Sequence, residues 1–423
     1  MNFAPTGPAM AAAEDSVLSQ WVEMTRTGAE IRAVVRGSAC PSALIDGKPV
    51  ALHRRSPADA VFPGVCATAL SETAQSAELN GARLPIPSAA PRRIVLFADS
   101  GCRISKTTLQ TCNDPKAWPF ADVVRRAAAR RPDLVIHGGD YYYRETPCPP
   151  GVHGCEGSPY GDRWETWRTE FFTPAQPLLE AAPWVFVRGN HEICGRGAMG
   201  WFRLLDAADQ VKTCPSGVDD AMTIDIGGLN LYVLDSSYAD DRAPSVHELD
   251  EMGRQLDQIS GLLAKTPGWI LTHRPVWGRA PVLRLGPFGP VEVSLNATEQ
   301  ASLRHRDIDG VQMVLSGHIH NFEAFDFGPA RPAQLIVGTG GDIGEPADTP
   351  RIQAEQVSID GASAEWLSFD RFGYFVFDRV DEPARREGSI WASDWIGVFY
   401  DANDRPVVRC RLSGRSLRCA PAG

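Results

Sequence analysis

The segment Gly139-Asp140-Tyr141-Tyr142-Tyr143 sets a carboxylate three positions before a phenol. Residues three apart share a face where the chain turns helical, so Asp140 and Tyr143 can reach one ion together. A carboxylate has two oxygens, and Asp140 can also bridge to a second ion. In Gly317-His318-Ile319-His320 two imidazoles stand two positions apart. On extended backbone they share a face, about 6–7 Å apart. That suits one imidazole on each of two metal ions held about 3.5–4 Å apart. His273 supplies a third imidazole. In Gly189-Asn190-His191-Glu192 adjacent side chains diverge, so Asn190 and His191 do not both ligate. The amide oxygen of Asn190 serves as a neutral ligand, and His191 faces the substrate, where it can protonate a leaving oxygen. Each fragment has a plain structural reading as well: Asp140 as a helix cap, Tyr143 as core packing, Gly189-Asn190 as a turn, His-x-His as a surface pair.

Their common setting favours chemistry. Ile94-Val95-Leu96-Phe97 runs into Asp99, Leu134-Val135-Ile136 into Asp140, and Trp184-Val185-Phe186-Val187 into Asn190. Trp269-Ile270-Leu271 runs into His273 and Met313-Val314-Leu315 into His318. A helix is predicted over Phe120 to Arg131, ended by Pro132. Strands alternating with helices imply an α/β layered domain, whose ligands gather beyond the carboxyl ends of the strands. Gly227-Gly228 predicts a hairpin of Met222–Ile226 with Leu229–Leu234, so the sheets are mixed. Residues 16–88 read as a small β-domain, with hairpin turns at Asp46-Gly47 and Asn80-Gly81. The proline-rich stretch from Leu84 to Pro91 reads as a linker. Residues 92–423 form the catalytic domain, and residues 1–15 a disordered leader or foreign remnant without an intact signal peptide.

A net charge of −10 leaves no basic footprint for nucleic acid or an anionic membrane. No apolar run approaches the ~20 residues that span a bilayer. An acidic protein that acts on phosphate needs a local source of positive charge, and bound metal can be that source. The ten cysteines contain no Cys-x-x-Cys pair, which argues against a thiolate zinc cluster. Their even number and close sequential spacing predict neighbour pairing: Cys40–Cys66, Cys102–Cys112, Cys148–Cys155, Cys194–Cys214 and Cys410–Cys419. The last pair flanks a two-residue turn at Gly414-Arg415, which sets the two cysteines opposite each other. Several disulfides point to an oxidising compartment, hence a secreted or periplasmic protein.

Taken in order, the chemical fragments resemble the calcineurin-like metallophosphoesterases, and among them the purple acid phosphatases. The matching residues are Ala98-Asp99-Ser100-Gly101, Gly139 to Tyr143, Gly189 to Glu192, Ile270 to His273, and Gly317 to His320. In the wider superfamily the first of these usually ends in histidine; here Gly101 takes that place and Tyr143 is gained, as in the purple acid phosphatases. The resemblance covers residues 92 to about 380. It implies two mixed β-sheets sandwiched between helices, a four-layer αββα fold, behind the small N-terminal β-domain. It also implies a ferric site of Asp99, Asp140, Tyr143 and His320, and a divalent site (zinc, iron or manganese) of Asp140, Asn190, His273 and His318. The expected reaction is hydrolysis of small phosphate esters, most of all phosphomonoesters, by a metal-bound hydroxide with His191 as general acid. Five positive charges on the ions, less three anionic ligands and one hydroxide, leave about one to attract phosphate. Where some plant members carry a histidine pair after the fourth motif, Arg274, Trp277 and Arg279 stand instead. His53, His137, His153, His247 and His305 match no motif and read as surface or core residues. The alternatives are a phosphodiesterase or nucleotide hydrolase with the same metals, and a catalytically silent binding protein on the same fold.

Overall fold

The computed structural model describes residues 17–423 apart from 209–210, 213, 215–217, 264, 285–289, 307, 344–350, 381–384, 388–389 and 393, and leaves out the side chains of 281–295 and 385–393. The leader expected over residues 1–15 lies outside the described residues.

Alternation along the central strands builds the layers. In the strand Arg93–Phe97, Ile94 and Leu96 face one core while Val95 and Phe97 face another. Ile136 and Val135 divide in the same way. In the strand Gly268–Leu271, Trp269 and Leu271 join the first core and Ile270 a third. Strands buried on both faces need a layer on each side. The first core lies between two sheets, and the second and third lie beneath helices on the outer faces. The result is the expected four-layer α/β sandwich of mixed sheets.

One sheet has eleven strands, with Arg93–Phe97, Leu134–His137 and Trp184–Phe186 parallel near its centre. The other has eight, with Leu229–Val233, Gly268–Leu271 and Val311–Ser316 parallel. The hairpin Met222–Ile226 with Leu229–Val233 forms at Gly227-Gly228 as predicted. The helix Phe120–Ala129 buries Phe120, Val123, Val124 and Ala127, an i, i+3, i+4, i+7 stripe. It stops two residues short of the predicted end. Arg131, the residue after the cap, adopts a φ of 53°, the left-handed turn in which helices commonly end, and Pro132 cannot continue the helix.

The N-terminal β region is present, and its strands divide between two sheets. Ser42–Ile45, Lys48–Ala51, Ala77–Leu79 and Ala82–Arg83 form a four-stranded sheet around the two expected turns. Val17–Thr25, Gly28–Val35, Gly64–Leu70 and His53–Ser56 instead extend the eleven-stranded sheet, with Val17–Thr25 running parallel to Trp184–Phe186. A boundary near residue 90 therefore does not separate two sheets. Turn dipeptides specify a hairpin but not the sheet that it joins. Burial decides that: Ile31 faces the inter-sheet core while Val34 faces the helical layer.

All five predicted disulfides form, Cys40–Cys66, Cys102–Cys112, Cys148–Cys155, Cys194–Cys214 and Cys410–Cys419, and no cysteine is free. Cys410 and Cys419 are directly opposed in their hairpin. Rings span the inter-sheet core: Phe377 of one sheet lies 5.4 Å from Trp269 of the other. Phe377 is fully buried, so Phe377→Ala should lower stability by about 3–5 kcal/mol, read as a shifted urea midpoint with an unchanged slope.

Candidate metal centre

The carboxyl ends of the two sheets meet at one place. Asp99, Asp140 and Asn190 leave strands of the first sheet; His273, His318 and His320 leave strands of the second. Backbone bonds tie the edges together: Ala98 N–H donates to the Val337 carbonyl (2.8 Å), and Gly340 N–H to the Ala98 carbonyl (2.8 Å). Gly317 is required by this approach, since a Cβ there would stand 2.5 Å from both the Ala98 methyl and Asp99 Oδ2.

The turns that present the side chains are not regular. No helix follows Asp140. Asp99, Asp140 and His318 adopt φ values of 56°, 60° and 72°, a left-handed geometry that costs a non-glycine residue ~1–3 kcal/mol. The predicted helical face at Asp140–Tyr143 and the predicted extended His318–His320 face are thus both replaced by tight loops. Asp99 Oδ2 accepts the His318 N–H at 2.9 Å, and two buried carboxylates fix the Asp140–Tyr143 loop. Glu192 Oε2 accepts from the Asp140 and Gly189 N–H groups (both 3.0 Å), and Oε1 from those of Tyr141 (2.9 Å) and Tyr142 (3.2 Å). Glu170 Oε1 accepts from the Cys102 (2.8 Å) and Tyr143 (2.9 Å) N–H groups. Burial, with Asp140 beside it, pushes the Glu192 carboxyl up to about 8.

Two donor groups result, sharing one oxygen. The Tyr143 hydroxyl lies 2.9 Å from Asp99 Oδ1, 2.9 Å from Asp140 Oδ2 and 3.1 Å from His320 Nε2. Asp140 Oδ2 also lies 3.2 Å from His273 Nε2. That nitrogen is 2.9 Å from Asn190 Oδ1, which is 2.8 Å from His318 Nδ1. All seven predicted ligand side chains therefore converge. Among the described residues, Asp99, Asp140 and His273 offer buried ligand atoms that lie within 4.8 Å of one another.

The field at this place calls for positive charge. Burial disfavours the Asp140 carboxylate, yet His273 and His191 hold it well below the usual range. Burial opposes charge on His273 too, but Asp140 and Asp99 outweigh it and raise the ring to about 9. His320 also rises to about 9, burial being overcome by Asp342 and Asp99. Burial, then Asp140 and Asp99, keep the Tyr143 phenol far above its ordinary value. Carboxylate, phenol, amide and imidazole donors without thiolate fit iron, zinc or manganese.

His191 stays out of both groups. Its ring packs on that of Tyr143, with centroids 3.8 Å apart. Its Nδ1 is 3.1 Å from Glu145 Oε1, and its Nε2 is 3.9 Å from Asp140 Oδ2. The Arg196 guanidinium stands 2.9 Å from the ring. Burial lowers the imidazole's pKa against the pull of Asp140 and Glu145.

Several residues here carry no sequence signal. Asp342 Oδ2 stands 3.1 Å from His320 Nδ1, and Asp241 Oδ2 stands 3.1 Å from His318 Nε2. Such partners fix the ring orientation of metal-binding histidines, but both aspartates lie on irregular loops far from the motifs. Glu192 ends a recognised motif and could have been singled out; Glu145, Glu170 and Arg196 could not. Of the three residues standing in place of a histidine pair, only Arg274 reaches the site, 3.1 Å from His318. Trp277 packs on Phe327 and Arg279 pairs with Glu355. His137 is buried against Ser100 and Tyr141, and the other four unassigned histidines are exposed.

The family model of calcineurin-like phosphoesterases matches residues 92–322, and the chain belongs to that family: it is a metallophosphoesterase. Family and donor cluster together support a dinuclear metal centre. Among solved structures, the chain is similar to the purple acid phosphatase PPD1 from seeds of yellow lupin (Lupinus luteus), with a TM-score of 0.56 and 12% identity, over 96% of this chain and 74% of that one. It is similar to PhoD with a TM-score of 0.54 and 10% identity, over 99% of this chain and 94% of that one. At such identities the likeness is one of fold. No curated protein matches the chain.

Replacing Glu192 by Ala would strand four buried N–H groups. Glu192→Ala should cost ~3 kcal/mol or more in stability and lower the metal content of purified protein, measured by denaturant unfolding and elemental analysis.

Proposed function

We propose that this protein hydrolyses phosphomonoesters at a centre of one ferric and one divalent ion, with His191 as general acid. The observation that carries this reading is the phenol oxygen of Tyr143 within 2.9 Å of both Asp99 and Asp140. A phenol with an ordinary pKa near 10 binds as phenolate only to a strongly Lewis-acidic ion, and a hard anionic oxygen favours Fe(III). Asp99, Asp140, Tyr143 and His320 would hold the ferric ion; Asp140, Asn190, His273 and His318 would hold zinc, iron or manganese. When bound, such a pair supplies Lewis acidity that polarises phosphoryl oxygens and acidifies water. The family match and the fold shared with the lupin phosphatase support phosphoester hydrolysis.

The chain's own residues do the rest. Asp342 and Asp241 orient His320 and His318. Glu145 stands 3.1 Å from His191 Nδ1 and favours the charged imidazolium, the form that can give a proton to the departing alkoxide. Arg196 limits that charge by standing against the same ring. We further assign the protein to a secreted or periplasmic setting. Five disulfides support this, and among the described residues no helix is long and apolar enough to cross a membrane.

Two variants test the assignment. His191→Ala should lower turnover on phosphomonoesters by about 10²–10⁴-fold, least for esters with good leaving groups, at unchanged metal content. Loss of a metal ion instead would make His191 a ligand. Iron-loaded protein should be coloured by a phenolate-to-iron charge-transfer band that Tyr143→Phe abolishes and Tyr142→Phe retains. A colourless, active, oxidised iron enzyme would remove the ferric assignment.

A further inference from the structure

Arg103 follows Cys102 in the loop closed by the Cys102–Cys112 disulfide. Its backbone N–H donates to Gln110 Oε1 at 3.0 Å, which fixes its position in that loop. The guanidinium carbon stands 4.8 Å from the centroid of the Tyr143 ring. Its Nε lies 3.2 and 3.1 Å from the two oxygens of Asp342, and its Nη2 also bonds that carboxylate. Asp342 is fully buried, and its Oδ2 is 3.1 Å from His320 Nδ1. The Asp342 N–H donates to the Asp99 carbonyl at 2.8 Å. One cation thus faces the phenol ring of one ligand and grips the carboxylate that orients another.

We propose that Arg103 is a positioning residue that sets the donor strength of Tyr143 towards the ferric ion, with Asp342 as its counterweight. The proposal rests on the reading of Tyr143 as a ferric ligand. A guanidinium within about 6 Å of an aromatic face is attracted to it, and the attraction grows when the ring carries phenolate charge. A cation there draws electron density back from the oxygen. That moves phenolate-to-iron charge transfer to higher energy and makes ferric iron easier to reduce. Asp342 acts with the opposite sign. Its buried carboxylate, shared between Arg103 and His320, raises electron density at the iron. The pair sits largely out of solvent, where salt screens weakly.

The test uses full-length protein loaded with iron, read by visible absorption and by redox titration of the band. Arg103→Met keeps the packing and removes the cation. It should move the band to longer wavelength and lower the midpoint potential. Asp342→Asn should shift both in the opposite direction. Arg103→Lys keeps the charge without the planar fork and should return most of the wild-type potential. Arg103→Met with band and potential at wild-type values and full iron content overturns the proposal. So do shifts of the same sign in Arg103→Met and Asp342→Asn, which would mean a loosened loop. If Arg103→Met does not fold, the direction of the Asp342→Asn shift decides. A colourless wild type, or a Tyr143→Phe protein that keeps the band, removes the ferric-phenolate reading and this proposal with it. A band that Tyr143→Phe abolishes and Arg103→Met leaves unmoved removes this proposal alone.

Discussion

The carboxylate of Asp140 is buried where two sheet edges meet, among Tyr143, His273 and the backbone of His191. A buried charge is costly unless it is paired and hydrogen-bonded. Much of the surrounding structure answers to that requirement. Oδ1 takes the N–H of His191 at 2.8 Å. Oδ2 faces the Tyr143 hydroxyl and the His273 ring, one from each donor group. The backbone of Asp140 takes a left-handed turn that Glu192 holds in place. A single residue so bound fixes the distance between the two halves of the site.

Supports for the site come from further out than its ligands. Glu192 and Glu170 are buried acids outside the seven, yet they organise the loops at Asp140–Tyr142, at Cys102 and at Tyr143–Arg144 through backbone N–H groups. Disulfides close the loops that follow Asp99, Tyr143 and His191. Loops without regular hydrogen bonding lose precision easily, and metal chemistry tolerates displacements of only a few tenths of an ångström. The eleven-stranded sheet adds rigidity from the other side, because the N-terminal strands extend it past Trp184–Phe186.

Charge explains how an acidic chain can handle an anionic ester. The protein carries a net charge of −10, and its site adds two buried aspartates in contact with a phenol. Arginines stand around the rim: Arg103 beside Tyr143, Arg196 beside His191, and Arg274 beside His318. Each is tied to a carboxylate: Asp342, Glu145 and Asp241. Fixed pairs of this kind orient imidazoles without adding net charge, and leave the attraction of phosphate to the metal ions.

Residue type and order alone carried the family, the seven converging side chains and the neighbour pairing of the cysteines. Those follow from local rules: strands that end in polar residues, amides and imidazoles at fixed spacing, cysteines close enough to close a loop. The same rules misjudged local shape. Asp140–Tyr143 is not helical and His318–His320 is not extended, because contacts from Glu192 and from the opposite sheet edge override the preference of each segment. Tertiary structure alone decided which acids stand behind the ligands. Asp241, Glu145 and Asp342 come from three separate loops and Glu170 from the helical turn Arg168–Phe172, and nothing periodic marks them. It also decided that the strands of Val17–Val35 join the main sheet. A hairpin turn sets register between neighbours, whereas membership of a sheet depends on which faces find a buried partner, and that is settled only when the whole chain packs.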